Sequence, residues 1–225
     1  MERMCVGCRR RKNEEAFSQQ QALPQREMEF LCIECFKLKH PAPTPRTIHP
    51  SAIWAREILA RPNVVILDTE TTGFRLIDEI IEIAIISTQN TVLLNRFFQC
   101  QMATIPPEAT RVHGITKRDL HGACTFPQVW NALTKRLATW EILIYNVSFD
   151  VRMLKQAAER YGLALPTLHT QCLMARVSAY MGGQKQMYKL SEACSYFRIE
   201  QSSAHRALAD VQNSLKVLQA LAARA

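Results

Sequence analysis

The chain has 225 residues, 48% hydrophobic and 21% charged, which suits one full domain plus a small module and excludes a disordered polyelectrolyte. No apolar run approaches the ~20 residues that cross a bilayer. The amino terminus, Met1-Glu2-Arg3-Met4-Cys5, lacks an apolar secretory segment, so a cytoplasmic protein without membrane attachment is expected. The formal charge of +8 favours a polyanionic partner without identifying one, since the excess is spread over both ends of the chain.

Residues 1–40 read as a separate module. Cys5, Cys8, Cys32 and Cys35 form two C-x2-C pairs, the spacing of a tetrahedral structural zinc site. The segment between the pairs is too polar and short to hold a fold without a staple, and one bound Zn²⁺ supplies it. Disulfides are the alternative staple and conflict with a cytoplasmic location. Phe36 to His40 could continue as a short helix, as in treble-clef-like fingers. Arg9-Arg10-Arg11-Lys12 is the main polyanion-facing feature, with a solvated basic loop as the competing reading.

A linker is expected over 41–50, where Pro41, Pro43 and Pro45 deny helix and favour an extended spacer. The second domain is expected over 51–225. It opens with a short helix, Ala52 to Ala60, with Ser51 as its N-cap. Val64 to Leu67 reads as a buried strand that runs into Asp68-Thr69-Glu70-Thr71-Thr72-Gly73. Glu79–Ser87 and Thr91–Gln99 read as two further strands in a hairpin. Pro106-Pro107-Glu108 starts a helix that breaks at His113-Gly114. A helix follows over Phe126–Ala138, then a strand over Glu141–Tyr145. Asn146 to Asp150 then leads into a helix carrying Val151, Leu154 and Ala158. Helical segments around Cys172–Tyr180, Leu190–Phe197 and Ala204–Leu221 complete the chain, with Gly182 to Lys185 as a loop. This order predicts a three-layer α/β domain with a mixed sheet.

Side chains alternate along a strand, so Asp68 and Glu70 share one face and Thr69 takes the other. Two carboxylates at the end of an apolar strand repel each other and resist desolvation unless hard cations neutralise them. An acidic turn is the competing reading of that stretch alone. Asp150 follows a second strand end, and Asp210 lies five residues after His205 in the last helix.

Four stretches in order, Asp68 to Gly73, His113-Gly114-Ile115-Thr116, Asn146 to Asp150, and His205 to Asp210, resemble the motifs of the DEDDh, or DnaQ-like, 3′→5′ exonucleases over roughly residues 63–221. The resemblance implies a ribonuclease-H-like fold. It implies Asp68, Glu70, Asp150 and Asp210 as ligands of two Mg²⁺ or Mn²⁺ ions, which activate a water for in-line attack on phosphorus. Glu70 and His205 are the catalytic pair it implies, His205 as general base, a task suited to an imidazole with an ordinary pKa near 6.5. Arg206 stands where a tyrosine would mark a sister subgroup.

The same resemblance gives Thr71, Thr72, Gly73 and Phe74 to the 3′-terminal nucleotide, with Phe74 available for stacking in place of the usual leucine. His113 and Ile115 are expected to line that pocket. Phe149 is expected to contact substrate, and Asn146 to contact substrate or order its loop. Tyr145 replaces a frequent histidine. The implied function is release of nucleoside 5′-monophosphates from a nucleic acid with a free 3′ end, with a single-stranded substrate expected. A polymerase proofreading subunit and a zinc-dependent nucleic-acid-binding protein with a non-catalytic exonuclease fold are the alternatives. The zinc module is expected to engage substrate or a protein partner.

Overall fold

The computed structural model describes residues 2–17, 32–35, 48–182, 187–201 and 205–225. The chain divides into two compact units, Met1–Thr47 and Ile48–Ala225. In the first, strand β1 (Glu2–Met4) pairs antiparallel with β2 (Arg11–Asn13), and a 3-10 turn spans Glu14–Phe17. A tight turn between the strands carries Cys5 and Cys8, closed by Arg9 N donating to Cys5 O and Cys5 N donating to Arg10 O. The helix expected over Phe36 to His40 and the prolines of the linker lie outside the described residues, as do residues 183–186.

The second unit begins with helix α1 (Pro50–Ala60), one residue inside the expected linker. Its N-cap is His49, whose Nδ1 accepts from Ser51 N at 3.1 Å. Ser51, the expected cap, is buried in the first turn instead. Pro50 explains the shift, because its fixed φ and missing N–H suit the first helical position and push the cap back by two residues, to His49.

A five-stranded sheet of order β5-β4-β3-β6-β7 follows. Strands β3 (Val64–Thr71), β4 (Ile80–Ser87) and β5 (Val92–Phe97) form the expected antiparallel meander. Strands β6 (Glu141–Ile144) and β7 (His169–Cys172) add in parallel beside β3. β7 carries the polar sequence His-Thr-Gln-Cys at the sheet edge, which explains why no apolar pattern announces it.

Both faces of the sheet are covered, so β3 reads as a continuous apolar run rather than an alternating one. Val64 and Ile66 pack with α1, α5 (Leu173–Met181), α6 (Leu190–Phe197) and α7 (Ala207–Ala222). Val65 and Leu67 pack on the other face, against Trp130 and Leu133 of α3 (Phe126–Leu137) and Met153 and Leu154 of α4 (Val147–Arg160). Each buried aliphatic side chain here is worth about 1.5–3 kcal/mol. A seven-residue helix, α2 (Pro107–His113), ends at Gly114 in the left-handed conformation.

The two units predict separable stability. Cys5→Ser with Cys32→Ser is expected to abolish zinc retention, read by metal analysis. The thermal transition of the Ile48–Ala225 unit should move by no more than about 2 °C. Unfolding of the whole chain would contradict this.

Candidate active site

The alternation of β3 decides which helices its polar end can meet. Asp68 and Glu70 continue the face of Val64 and Ile66, the face that α7 covers. Carboxylate oxygens of Asp68, Glu70 and Asp210, the last in the first turn of α7, lie within 4.8 Å of one another. Thr69 continues the opposite face, toward α4. There Asp150 Oδ1 accepts from Thr69 N at 3.0 Å and Thr69 Oγ1 at 2.8 Å. Asp150 sits in the first turn of α4 rather than before that helix, with Asn146 as the N-cap. Three of the four expected ligands thus converge directly. The fourth is fixed to the strand between them, and its charge acts on Asp68.

This clustering opposes ionisation. Burial, then the charges of Asp150, Glu70 and Asp210, hold the Asp68 carboxyl well above its ordinary range. Burial, then Asp210, Glu82 and Asp150, push Glu70 to about 8, with Arg206 offsetting part of the effect. Burial raises Asp150 to about 7 against the two Thr69 hydrogen bonds. Burial also raises Asp210, while His205 pulls it back. An all-oxygen, strongly anionic donor set fits hard divalent cations such as Mg²⁺ or Mn²⁺, which remove the repulsion.

His205 is exposed immediately before α7, with φ of +67°. A left-handed backbone is uncommon for residues other than glycine, and such strain persists where surrounding contacts enforce it. Glu82, a residue the sequence motifs do not single out, provides the enforcement. It is buried on β4 directly opposite Glu70. Its carboxylate accepts from Arg206 Nε and Nη2, both at 3.1 Å, and from Ala207 N at 3.2 Å. The guanidinium also lies 5.0 Å from the Phe97 ring centroid. One buried acid therefore fixes the turn that carries His205 and the helix end that carries Asp210. The sequence signal was an acid inside an apolar strand, Ile80-Ile81-Glu82-Ile83.

Beside the acids opens a cavity of about 400 Å³. Thr71, Thr72, Gly73, Phe74, His113 and Phe149, the residues expected to meet substrate, line it together with Glu108. The sequence showed Glu108 only as part of a helix start. Phe74 and Phe149 stand with ring centroids 5.6 Å apart, and Phe74 is 76% exposed. His113 is buried with Nδ1 accepting from Ile115 N at 3.0 Å, so the neutral ring donates from Nε2 to Thr71 O at 3.2 Å. Burial lowers its pKa, consistent with a neutral ring that braces the cavity wall.

One expected cavity residue lies elsewhere. Ile115 does not line the cavity: it is 2% exposed and packs with Ile81, Cys100 and Leu120, as its apolar side chain favours. Of the two roles expected for Asn146, the structure supports ordering of its loop: its Oδ1 accepts from Ser148 Oγ at 2.9 Å at the start of α4.

The loop after β3 needs glycine at position 73. With φ of +154°, a Cβ there would stand 2.6 Å from Asp78 Oδ2. Burial opposes charge on Asp78, but Arg75 and the Thr72 hydroxyl hold its pKa below the usual range. From α4, Arg152, Gln156 and Arg160, spaced four apart on one helix face, donate to carbonyls of the loop. Arg152 Nη1 reaches Phe74 O at 3.2 Å, Gln156 Nε2 reaches Asp78 O at 2.5 Å, and Arg160 Nη2 reaches Ile77 O at 2.6 Å.

In the first unit, Sγ atoms of Cys5, Cys8, Cys32 and Cys35 lie within 4.8 Å of one another. Cys8 and Cys32 Sγ are 3.9 Å apart, close to the ~3.8 Å edge of a tetrahedron with 2.3 Å Zn–S bonds. Cys32 N donates to Cys5 Sγ at 3.1 Å and Cys8 N at 3.5 Å, which pulls the Cys5 thiol down to about 6. Burial and the neighbouring cysteines push Cys35 up to about 12, so the four-sulfur cluster, whose spacing fits Zn²⁺, is not fully ionised by the protein alone.

The fold and the acidic cluster define a ribonuclease-H-like phosphodiesterase centre. The RNase T family model, described as Exonuclease, matches residues 65–218. The uncharacterized exonuclease CP81 of Escherichia phage 186 is 32% identical over 170 residues, covering 70% of this chain and 87% of the phage protein. The epsilon subunit of DNA polymerase III from Rickettsia typhi is also 32% identical over 170 residues, covering 70% of this chain and 72% of that subunit. The solved nuclease domain of 3′hExo, a DEDDh family member bound to rAMP, superposes with a TM-score of 0.57 at 19% identity, over 68% of this chain and 88% of that domain. The chain belongs to the DnaQ-like, DEDDh family of 3′→5′ exonucleases. Among the described residues no helix is long and apolar enough to cross a membrane.

Two predictions follow from the electrostatics. Raised carboxyl pKa values mean that the folded state holds protons that the unfolded chain releases near pH 4–5. Without divalent cations, stability is therefore full below that range and is lost as pH rises toward 8, the Glu70 value. Between pH 5 and 8 the metal-free Tm should fall by about 5 °C, and added Mn²⁺ should restore it. A flat metal-free profile by calorimetry would contradict the assigned repulsion. Second, Glu82→Gln loosens the His205 turn without touching the cavity, so kcat should fall about 10-fold with KM within about 2-fold. Steady-state kinetics in which KM carries the loss would contradict this role.

Proposed function

We propose that this exonuclease removes nucleoside 5′-monophosphates one at a time from the 3′ end of single-stranded DNA or RNA, with two divalent cations at the acidic cluster. The observation that carries the reading is the convergence of Asp68, Glu70 and Asp210 beside a cavity whose mouth holds Phe74 and Phe149. Asp68, Glu70, Asp150 and Asp210 would hold the cations, which when bound would polarise the phosphoryl oxygens and ease deprotonation of the attacking water. His205 takes that proton, and its exposure lets the imidazole return it to solvent. Phe74 and Phe149 stack on the terminal bases, a sequence-tolerant contact worth about 1–3 kcal/mol per base. The loop from Thr71 to Asp78, clasped by α4, seats the terminal nucleotide. Cys5, Cys8, Cys32 and Cys35 hold a structural Zn²⁺.

A second reading, an exonuclease subunit acting with a DNA polymerase, draws support from the relative in Rickettsia typhi named as an epsilon subunit. The similarity to a DEDDh domain bound to rAMP keeps RNA substrates in view. Incubation of the purified chain with Mn²⁺ and 5′-labelled DNA or RNA, single- or double-stranded, distinguishes these substrates by the ladder of shortened products.

Asp210→Asn is expected to lower 3′-end shortening by at least about a thousandfold. Metal-free Tm should hold or rise, because one of the mutually repelling carboxyls is gone. His205→Ala is expected to reduce kcat by about 10²-fold while Mn²⁺ affinity persists. Undiminished nuclease activity in Asp210→Asn would refute the site.

A further inference from the structure

The charge of the first unit is concentrated on one short hairpin. Residues 2–13 contain Arg3, Arg9, Arg10, Arg11 and Lys12 against the single acid Glu2. Lys12 is engaged, with Nζ 2.6 Å from Glu34 Oε2. Arg9, Arg10 and Arg11 are exposed and make no ion pair among the described residues. The hairpin register sets Arg3 directly opposite Lys12, a like-charge pairing that weakens a ladder. Arg9 adopts φ of +55° at the knuckle, where glycine would avoid a cost of about 1–2 kcal/mol. Fold stability alone does not favour arginine at the left-handed position 9. Four thiolates around one Zn²⁺ contribute −2, which leaves the +4 hairpin net positive.

We propose that Arg9, Arg10 and Arg11 form a phosphate-binding face that grips the backbone of the nucleic-acid strand away from its 3′ end. The proposal rests on the exonuclease reading of the other unit, which already places a polyphosphate strand on this chain. Tethering a second phosphate contact to the same chain raises the effective concentration of long substrates over short ones. Arginine forks suit phosphate oxygens and carry no base preference, so the face adds affinity without sequence selection. An acidic protein partner is the competing occupant, and the two differ in the effect of strand length.

The test uses the full chain carrying Asp210→Asn for binding and the otherwise unaltered chain for turnover. Replacing all three arginines, as Arg9→Gln, Arg10→Gln and Arg11→Gln, should weaken binding of a labelled 30-nucleotide single strand about 10-fold at 50 mM salt. The slope of log affinity against log salt should shrink by about 2, at roughly 0.7 per lost phosphate contact. Hydrolysis of a dinucleotide and zinc content should remain unchanged, and lysine at the three positions should restore most of the affinity. Equal affinity and slope in the glutamine variant, with the dinucleotide still cleaved, overturn the proposal and leave the exonuclease reading intact. Failure of the unaltered chain to cleave either substrate overturns the exonuclease reading itself. Loss of zinc in the glutamine variant, with affinity unrecovered in the lysine variant, assigns the arginines to the fold and also overturns the proposal.

Discussion

Six acidic side chains are drawn toward the sheet end where β3 leaves the core, and the cost of desolvating them shapes this end of the domain. Three are neutralised by the chain itself, each with its own arginine. Asp78 pairs with Arg75, Glu79 lies 3.7 Å from Arg160, and Glu82 accepts a bidentate contact from Arg206. Backbone N–H groups complete each shell, from Arg75, from Gln101 and Met102, and from Ala207. The other three, Asp68, Glu70 and Asp210, share one locus and receive no such pairing, and their pKa values rise accordingly. Acids with an arginine hold the loops. Acids without one, and Asp150 beside them, repel one another and resist ionisation, the arrangement that a divalent cation would relieve.

The paired acids also account for the strained positions around the site. Asp78 stands where a Cβ on residue 73 would be, so the loop beside the cavity closes on a glycine. Glu82 ties Arg206 and Ala207 immediately after the left-handed His205. The β3–β4 register shifts between Glu70 and Thr71, a bulge that ends regular pairing where the cavity begins. Strain and irregularity lie at the end of the sheet that carries the acids and the cavity, while the opposite stretch of β3 remains regular and buried.

The legible part of the fold was that written in periodicity: the apolar run of β3, the hairpin partners, and the helices with apolar spacing. β7 was illegible because an edge strand of His-Thr-Gln-Cys has no apolar face to announce it. Ile115 was misplaced because motif order gives proximity to a site but not side-chain direction, and an isoleucine there is taken up by the core. Asp150 was expected at one edge with Asp68 and Glu70; strand parity explains its place across the strand, since Thr69, which binds it, faces away from Asp68. Glu82 and Glu108 were missed for a different reason. A strand acid and a helix-start acid have ordinary structural readings, and only tertiary placement opposite Glu70 or on the cavity wall distinguishes them.

Parity further explains why the spacing of the two strand acids matters more than their number. With one residue between them, Asp68 and Glu70 both meet α7, and the intervening Thr69 supplies the N–H and hydroxyl that fix Asp150 from α4. Adjacent acids would put one carboxylate on each face of the sheet. One would then face Asp150 without the threonine hydroxyl that helps hold it, and Asp210 would keep a single strand partner. The strand thus acts as a partition that assigns each helix its acid. Both helices present that acid from their first turn, where the backbone dipole favours negative charge. Sheet pleat and helix polarity together set three carboxyl groups at one locus and a fourth across the strand, close enough for its charge to act on Asp68.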